Sequence, residues 1–89
     1  MKPIRFSNHA REQADLRGAT TDEIIDAIRM GTWQSALRGK FESKKRFGFN
    51  QISPINQKHY RFKTVEAIFA DEPEVIGVVT VKVYYSNEE

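Results

Sequence analysis

The hydrophobic period of the chain changes at Gly31, from a helical repeat before it to a two-residue alternation after it. The part before Gly31 predicts two short helices, the first within residues 7–18 and the second starting at Thr20. Thr20 and Glu23 have the spacing of a capping box, in which each side chain accepts a hydrogen bond from the other residue's backbone N–H. Helices followed by strands are typical of an α+β protein.

Four stretches after Gly31 alternate between apolar and polar residues, as strands with one buried face do. The apolar positions change parity near Thr64, which predicts a bulge or a strand break there. The last stretch starts apolar on both faces, so we expect it to be a central strand beneath the second helix. We predict a single domain over residues 1–89, with two N-terminal helices packed on a mainly antiparallel four-stranded sheet. The predicted strands are 32–38, 44–52, 59–69 and 75–85.

Basic residues are concentrated in the middle of the chain. Residues 38–63 contain eight Lys and Arg residues and one acid, a local charge of +7, whereas residues 64–89 contain one base and six acids, or −5. The whole-chain charge of +2 hides this segregation. A basic stripe commonly binds phosphate, so the pattern indicates contact with nucleic acid. The alternative is that these side chains only solvate one face of the sheet.

The composition excludes several classes of site. The sequence contains no cysteine, so it has no disulfide, thiolate metal site or cysteine nucleophile. Its two histidines, His9 and His59, are far apart, and the acids around Pro73 are typical of a solvated turn, so we predict neither a metal site nor a cofactor. No apolar segment resembles a signal peptide or a membrane span, so we expect a cytoplasmic protein that does not bind membranes.

The first predicted helix carries His9 and Arg17 along one flank, with Gln13 between them. Histidine exchanges protons near neutral pH, and arginine can stabilise the charge that develops on a phosphate, so both are candidate catalytic residues. Each has a structural alternative. His9 could donate to a backbone carbonyl at the helix start, and Arg17 could cover apolar surface with its stem.

The predicted second and third strands carry the candidate nucleic-acid-binding residues. Metal-independent RNA cleavage needs a base, an acid and cations around the phosphate, and this region has side chains of those types. By alternation, the histidine of the third strand shares a face with the Arg and Lys that follow it. Nearby aromatic residues could stack on bases or pack in the core. The candidates are Lys44, Arg46, His59, Arg61 and Lys63, and the aromatic residues are Trp33, Phe47 and Phe49.

The chain contains four short motifs: Phe6-Ser7-x-His9-Ala10, Arg17-Gly18-Ala19-Thr20, Val65-Glu66-Ala67-Ile68-Phe69 and Val78-Val79-Thr80-Val81-Lys82-Val83-Tyr84-Tyr85. Together they resemble the small bacterial domain-of-unknown-function family 4258, over nearly the whole chain. That family resembles the RelE/ParE-type toxins, which implies two helices against a curved antiparallel sheet and RNase-like activity. Its members usually carry arginine four residues after the histidine, where this chain has Gln13.

Three functional hypotheses follow from the residues and the resemblance, of which the third is a domain that lost its activity within a toxin-like lineage. The first is a RelE/ParE-like RNA-binding domain, which could extend to metal-independent endoribonuclease activity with His9 as the general acid or base. The second is a non-catalytic module on the same scaffold that binds a protein partner such as an antitoxin. A feature that separates them is whether His9 and the basic strands converge on one concave surface.

Overall fold

The computed structural model describes residues 2–88, and the secondary structure starts with a strand that the sequence pattern did not indicate. This strand, β1, pairs in parallel with the last strand, while the other neighbours are antiparallel. The sheet formed within residues 2–88 therefore has five strands, and not the four predicted. The elements are β1 Ile4–Phe6, α1 Asn8–Arg17, α2 Thr21–Met30, β2 Gln34–Ser35, a 3₁₀ turn Leu37–Gly39, β3 Phe41–Ile52, β4 His59–Asp71 and β5 Ile76–Ser86. The strands lie in the order β1-β5-β4-β3-β2.

Both predicted helices are present, and their caps explain where they begin and end. The Ser7 hydroxyl accepts a hydrogen bond from the Ala10 N–H at 3.0 Å, and α1 ends at Gly18 in the left-handed conformation, with φ of 86°. The capping box at the start of α2 is confirmed, because the side chains of Thr20 and Glu23 each accept the other residue's backbone N–H. Neither helix within residues 2–88 is long and apolar enough to cross a membrane.

Both helices pack on the same side of the sheet, which we call the covered face. α1 lies along β5, whereas α2 lies over β3 and β4. The last strand is therefore beneath the first helix, not the second as predicted. Small residues of α1 and isoleucines of α2 meet the strands in one apolar core, which includes Ala10, Ala14, Ile24, Ile28, Val65, Phe69, Val78 and Val81.

The strand boundaries and bulges differ from the prediction. The expected first strand at 32–38 is only a two-residue strand followed by the 3₁₀ turn. β4 runs without a register shift through Thr64, so the predicted break there is wrong. The irregularities lie instead in β3, between Gly48 and Gln51, and in β5, opposite the step from Ile68 to Phe69. The polar residue that interrupts the apolar alternation of β4, Lys63, lies on the covered face among buried residues.

Candidate nucleic-acid interface

The side of the sheet opposite the two helices, which we call the open face, carries most of the accessible positive charge of the central strands. Side chains of a strand point alternately to its two faces. Ser43 in β3, Lys63 and Val65 in β4 and Val81 in β5 are buried on the covered face, so their neighbours along each strand belong to the open face. Strand register aligns these positions in rows across β3, β4 and β5. The rows are Glu42–Ile68–Thr80, Lys44–Glu66–Lys82 and Arg46–Thr64–Tyr84.

The open face has a net positive charge that is not neutralised by direct ion pairs. Three bases in the rows, Lys44, Arg46 and Lys82, stand against two acids, Glu42 and Glu66, and Arg38 and Lys40 lie at one end beside the 3₁₀ turn. Five bases minus two acids leave +3. Within residues 2–88, no ion pair at 4 Å or less involves the three bases in the rows. Their charge is therefore available to an anionic ligand.

Two arginines predicted as nucleic-acid ligands contact the same aromatic ring. The guanidinium carbon of Arg46 lies 4.6 Å from the centre of the Phe62 ring, and that of Arg61 lies 5.2 Å from it. Arg46 also donates a hydrogen bond to the Glu88 carbonyl at 3.3 Å. Cation–π contacts of this kind hold the guanidinium planes near the ring surface. Phe62 and the exposed Tyr84 are thus aromatic residues of the open face, and neither was proposed from the sequence.

The aromatic residues that the sequence suggested for stacking lie on the covered side. Trp33 packs edge-on against Phe69 with ring centres 4.8 Å apart, and its indole N–H donates to the Ile28 carbonyl at 2.8 Å. Phe47 is packed against the core, and Phe49 contacts Tyr85 with ring centres 5.2 Å apart. The packing alternative is confirmed for these three residues.

Lys63, another predicted RNA ligand, is buried on the covered face and only 5% exposed. Its ammonium donates to the Gly18 carbonyl at 2.7 Å and pairs with the Glu23 carboxylate at 2.8 Å. The same Glu23 oxygen accepts the Thr20 N–H, so Lys63 connects β4 to the junction between the two helices. A side chain held in this way does not reach a ligand on the open face.

Arg17 and Gln13 bind the backbone of β5 at its outer edge. The Arg17 guanidinium donates to the Val81 carbonyl at 2.6 Å, and the Gln13 side-chain oxygen accepts the Val81 N–H at 3.0 Å. β1 pairs with β5 only as far as Val78, so these two side chains replace a neighbouring strand at Val81. Gln13 therefore supplies an acceptor that caps this edge of the sheet.

The two histidines do not join the basic cluster. His9 is exposed in α1, and the sheet lies between that helix and the open face with Lys44 and Arg46. His59 is exposed at the start of β4, near the hairpin that joins β3 to β4. Arg46 and Arg61 meet at the Phe62 ring, and Lys44 lies two residues before Arg46 on the open face, whereas His9 and Lys63 lie on the covered side of the sheet. Arg17 lies at the outer edge of β5, beside Lys82 and Tyr84.

No group of three or more His, Asp or Glu side chains in the described part of the chain is placed to hold a metal ion. The open face itself offers cations, aromatic rings and hydroxyls, but no histidine among the aligned rows. This set of groups can bind phosphates and bases. It has no side chain that exchanges a proton readily near neutral pH.

Lys82 is a residue of the open face that the sequence pattern did not identify as a candidate nucleic-acid ligand. Lys82 lies in an otherwise acidic segment, so the segment charge hid its position. Only the register, which aligns Lys82 with Glu66 and Lys44, assigns it to the basic face.

Comparison with protein-family models, curated proteins and solved structures finds no match for this chain.

Proposed function

We propose that this protein binds RNA across the open face of its sheet, mainly through phosphate contacts. The observation that carries the proposal is the combination of net positive charge with the exposed ring of Tyr84 on a face that neither helix covers, where Phe62 holds two arginines against its ring. Cations along a strand-lined surface attract the phosphate backbone, and accessible aromatic rings stack on unpaired bases. This combination favours a single strand, since bases in a duplex are stacked on each other and cannot reach a side chain.

We include a RelE/ParE-like relationship in this proposal. Two helices on one face of a mostly antiparallel sheet, with the other face left open, are compatible with the arrangement that the resemblance implies. One fold supports many functions, so activity is argued from the residues of a site rather than from the architecture. The support for RNA binding therefore comes from the residues of the open face.

The placement of the candidate catalytic residues favours binding without cleavage at this face. General acid–base catalysis requires the catalytic group within hydrogen-bond reach of the reacting oxygen, directly or through one water. His9 is on a helix of the covered face, and the Arg17 guanidinium already donates to the Val81 carbonyl. RNA bound to Lys44 and Arg46 would lie across the sheet from His9.

The test removes two positive charges from the open face and compares the result with a charge-matched control. Lys44→Gln combined with Arg46→Gln should weaken binding to a fluorescent single-stranded RNA, measured by anisotropy over a range of salt concentrations. Loss of two phosphate contacts should lower the slope of log affinity against log salt by about 1.4. The control combines Arg11→Gln with Arg29→Gln, which removes two exposed charges from the helices.

The proposal requires the open-face double variant to lose more RNA affinity than the helix double variant. If they lose affinity equally, binding follows overall charge and the open face is not the interface. If the wild-type protein shows no salt-dependent binding to single-stranded RNA, the proposed function is wrong, and a protein partner for this scaffold becomes the better hypothesis.

A further inference from the structure

One end of the open face contains a groove with a volume of about 700 Å³, within the usual size of small-molecule sites, roughly 300–1,000 Å³. It lies where the turn between β2 and β3 stands beside β4 and β5. Its lining combines apolar side chains, several cations and one carboxylate. The residues are Ser35, Ala36, Leu37, Arg38, Lys40, Glu42, Ile68, Val79, Thr80 and Lys82.

The wall of the groove is a short hairpin turn with defined backbone hydrogen bonds. The Ala36 N–H donates to the Lys40 carbonyl at 2.8 Å, which closes the turn around the 3₁₀ residues Leu37–Gly39. Arg38 is left-handed, with φ of 61°, and Gly39 follows with φ of 72°. These conformations reverse the chain within three residues, so the Leu37 and Arg38 side chains are presented beside the open face rather than packed in the core.

The floor of the groove depends on the bulge in β5. Ile68 pairs with Thr80 while Phe69 pairs with Val78, so Val79 is the extra residue. Val79 and Thr80 both line the groove, although they are consecutive in the strand. In a regular strand, only one of two neighbours would point to this side. The bulge therefore adds an apolar side chain to a face that is otherwise polar at β5.

The chemistry of the lining fits a ligand with both an apolar ring and a negative charge. Leu37 is 86% exposed, and Ile68 and Val79 give further apolar surface. Arg38, Lys40 and Lys82 against Glu42 give a net charge of three minus one, or +2. An inorganic anion would leave the apolar surface uncovered, and an uncharged apolar ligand would leave the cations without a partner.

We propose that this groove binds one nucleotide of the RNA strand, with the base against Leu37, Ile68 and Val79 and the phosphate at the surrounding cations. The Glu42 carboxylate can accept a hydrogen bond from an N–H group of the base. This inference rests on the proposed function, because it assigns one end of the same face to a single nucleotide. It adds a site that recognises the base as well as the backbone.

The test uses adenosine 5′-monophosphate as the probe and the ¹⁵N-labelled protein, followed by NMR titration. Amide signals of residues 36–40 and of Val79 and Thr80 should shift, and ribose 5-phosphate should bind at least about fivefold more weakly because it lacks the base. Leu37→Ala should weaken AMP binding by about fivefold through loss of apolar contact. The matched control is Leu16→Ala, which removes another leucine, 73% exposed, from α1.

Arg38→Asn provides an independent test of the phosphate contact. Asparagine tolerates the left-handed conformation, so the turn should keep its backbone while losing the guanidinium. This variant should weaken AMP binding while leaving the binding of adenosine, which has no phosphate, unchanged. Equal losses for AMP and adenosine would mean that the substitution damaged the turn, and would count against the phosphate contact.

The groove and the proposed function can fail separately. If Lys44→Gln with Arg46→Gln weakens RNA binding but AMP does not shift the groove signals, the nucleotide site is wrong and RNA binding stands. If AMP and ribose 5-phosphate bind equally, or Leu37→Ala behaves like Leu16→Ala, base recognition is wrong. If AMP binds in the groove while RNA fails to bind, the nucleotide site stands and the proposed function falls.

Discussion

The two faces of the sheet use the same residue types in opposite ways. Lys63 on the covered face is buried, paired with Glu23 and bonded to the Gly18 carbonyl, whereas Lys44 on the open face is exposed and has no ion pair within residues 2–88. Phe69 fills the core, whereas Phe62 lies beneath two guanidinium groups. A residue's role is therefore set by the face that it occupies: on the covered face it stabilises the fold, and on the open face it is accessible to solvent, where we propose that it binds RNA.

The largest expected difference between the faces is at the two phenylalanines. Phe69 is fully buried and contacts the rings of Trp33 and Phe41. Phe69→Ala should lower the free energy of unfolding by about 3–5 kcal/mol, measured by urea denaturation. Phe62→Ala should cost no more than about 1 kcal/mol. It should weaken RNA binding because it removes the ring that holds the guanidinium groups of Arg46 and Arg61. Equal loss of stability would show that Phe62 belongs to the core.

The two lysines give the next largest effect. Lys63→Met should lower the free energy of unfolding by roughly 2–3 kcal/mol, since it leaves the Gly18 carbonyl and part of the Glu23 carboxylate without a partner. Lys44→Met should change stability by less than about 0.5 kcal/mol. In RNA binding the order should reverse, with only the Lys44 variant weakened. Weaker RNA binding by a folded Lys63→Met protein would contradict the assignment of Lys63 to the covered face.

The smallest effect concerns pH. Burial raises the pKa of Tyr85, a hydrogen bond with Ser53 lowers it and the charge of Glu23 raises it, with a net upward direction. The folded state therefore holds the phenolic proton more tightly than the unfolded state. This stabilisation is complete below the unfolded pKa of about 10 and is lost as pH rises above it.

Tyr85→Phe should make the free energy of unfolding fall less steeply between pH 9 and 11, in urea titrations at fixed salt. Tyr84→Phe, which removes an exposed hydroxyl from the open face, is the control. An unchanged pH profile for Tyr85→Phe would mean that this phenol does not contribute to alkaline destabilisation.

Much of the covered face could be predicted from local sequence. The helix caps depend on hydrogen bonds between residues three positions apart, so Ser7, Thr20 and Glu23 identify them without tertiary information. Alternation likewise predicts that Lys44 and Arg46 share one face of a strand. The fold class follows from the same local patterns, and it is confirmed as two helices on a mostly antiparallel sheet.

The open face could be predicted only in part. β1 has three residues and exists because it pairs with β5, about seventy residues further along the chain. Lys82 joins Lys44 only through strand register, and the groove needs a bulge in β5 beside a turn that follows β2. None of these is a property of a local segment. They arise when distant segments pair.

The amino-acid sequence by itself determined the two helices, the three long strands and their order along the chain, because capping and alternation act over a few neighbouring residues. The tertiary structure decided which basic residues are accessible. Lys63 and Arg61 are two residues apart in one strand, yet Lys63 is held at the helix junction while Arg61 lies exposed beside Phe62. The physical reason is that a buried cation needs acceptors for its hydrogen bonds. The Gly18 carbonyl and the Glu23 carboxylate accept from Lys63 only once the helices pack on the sheet.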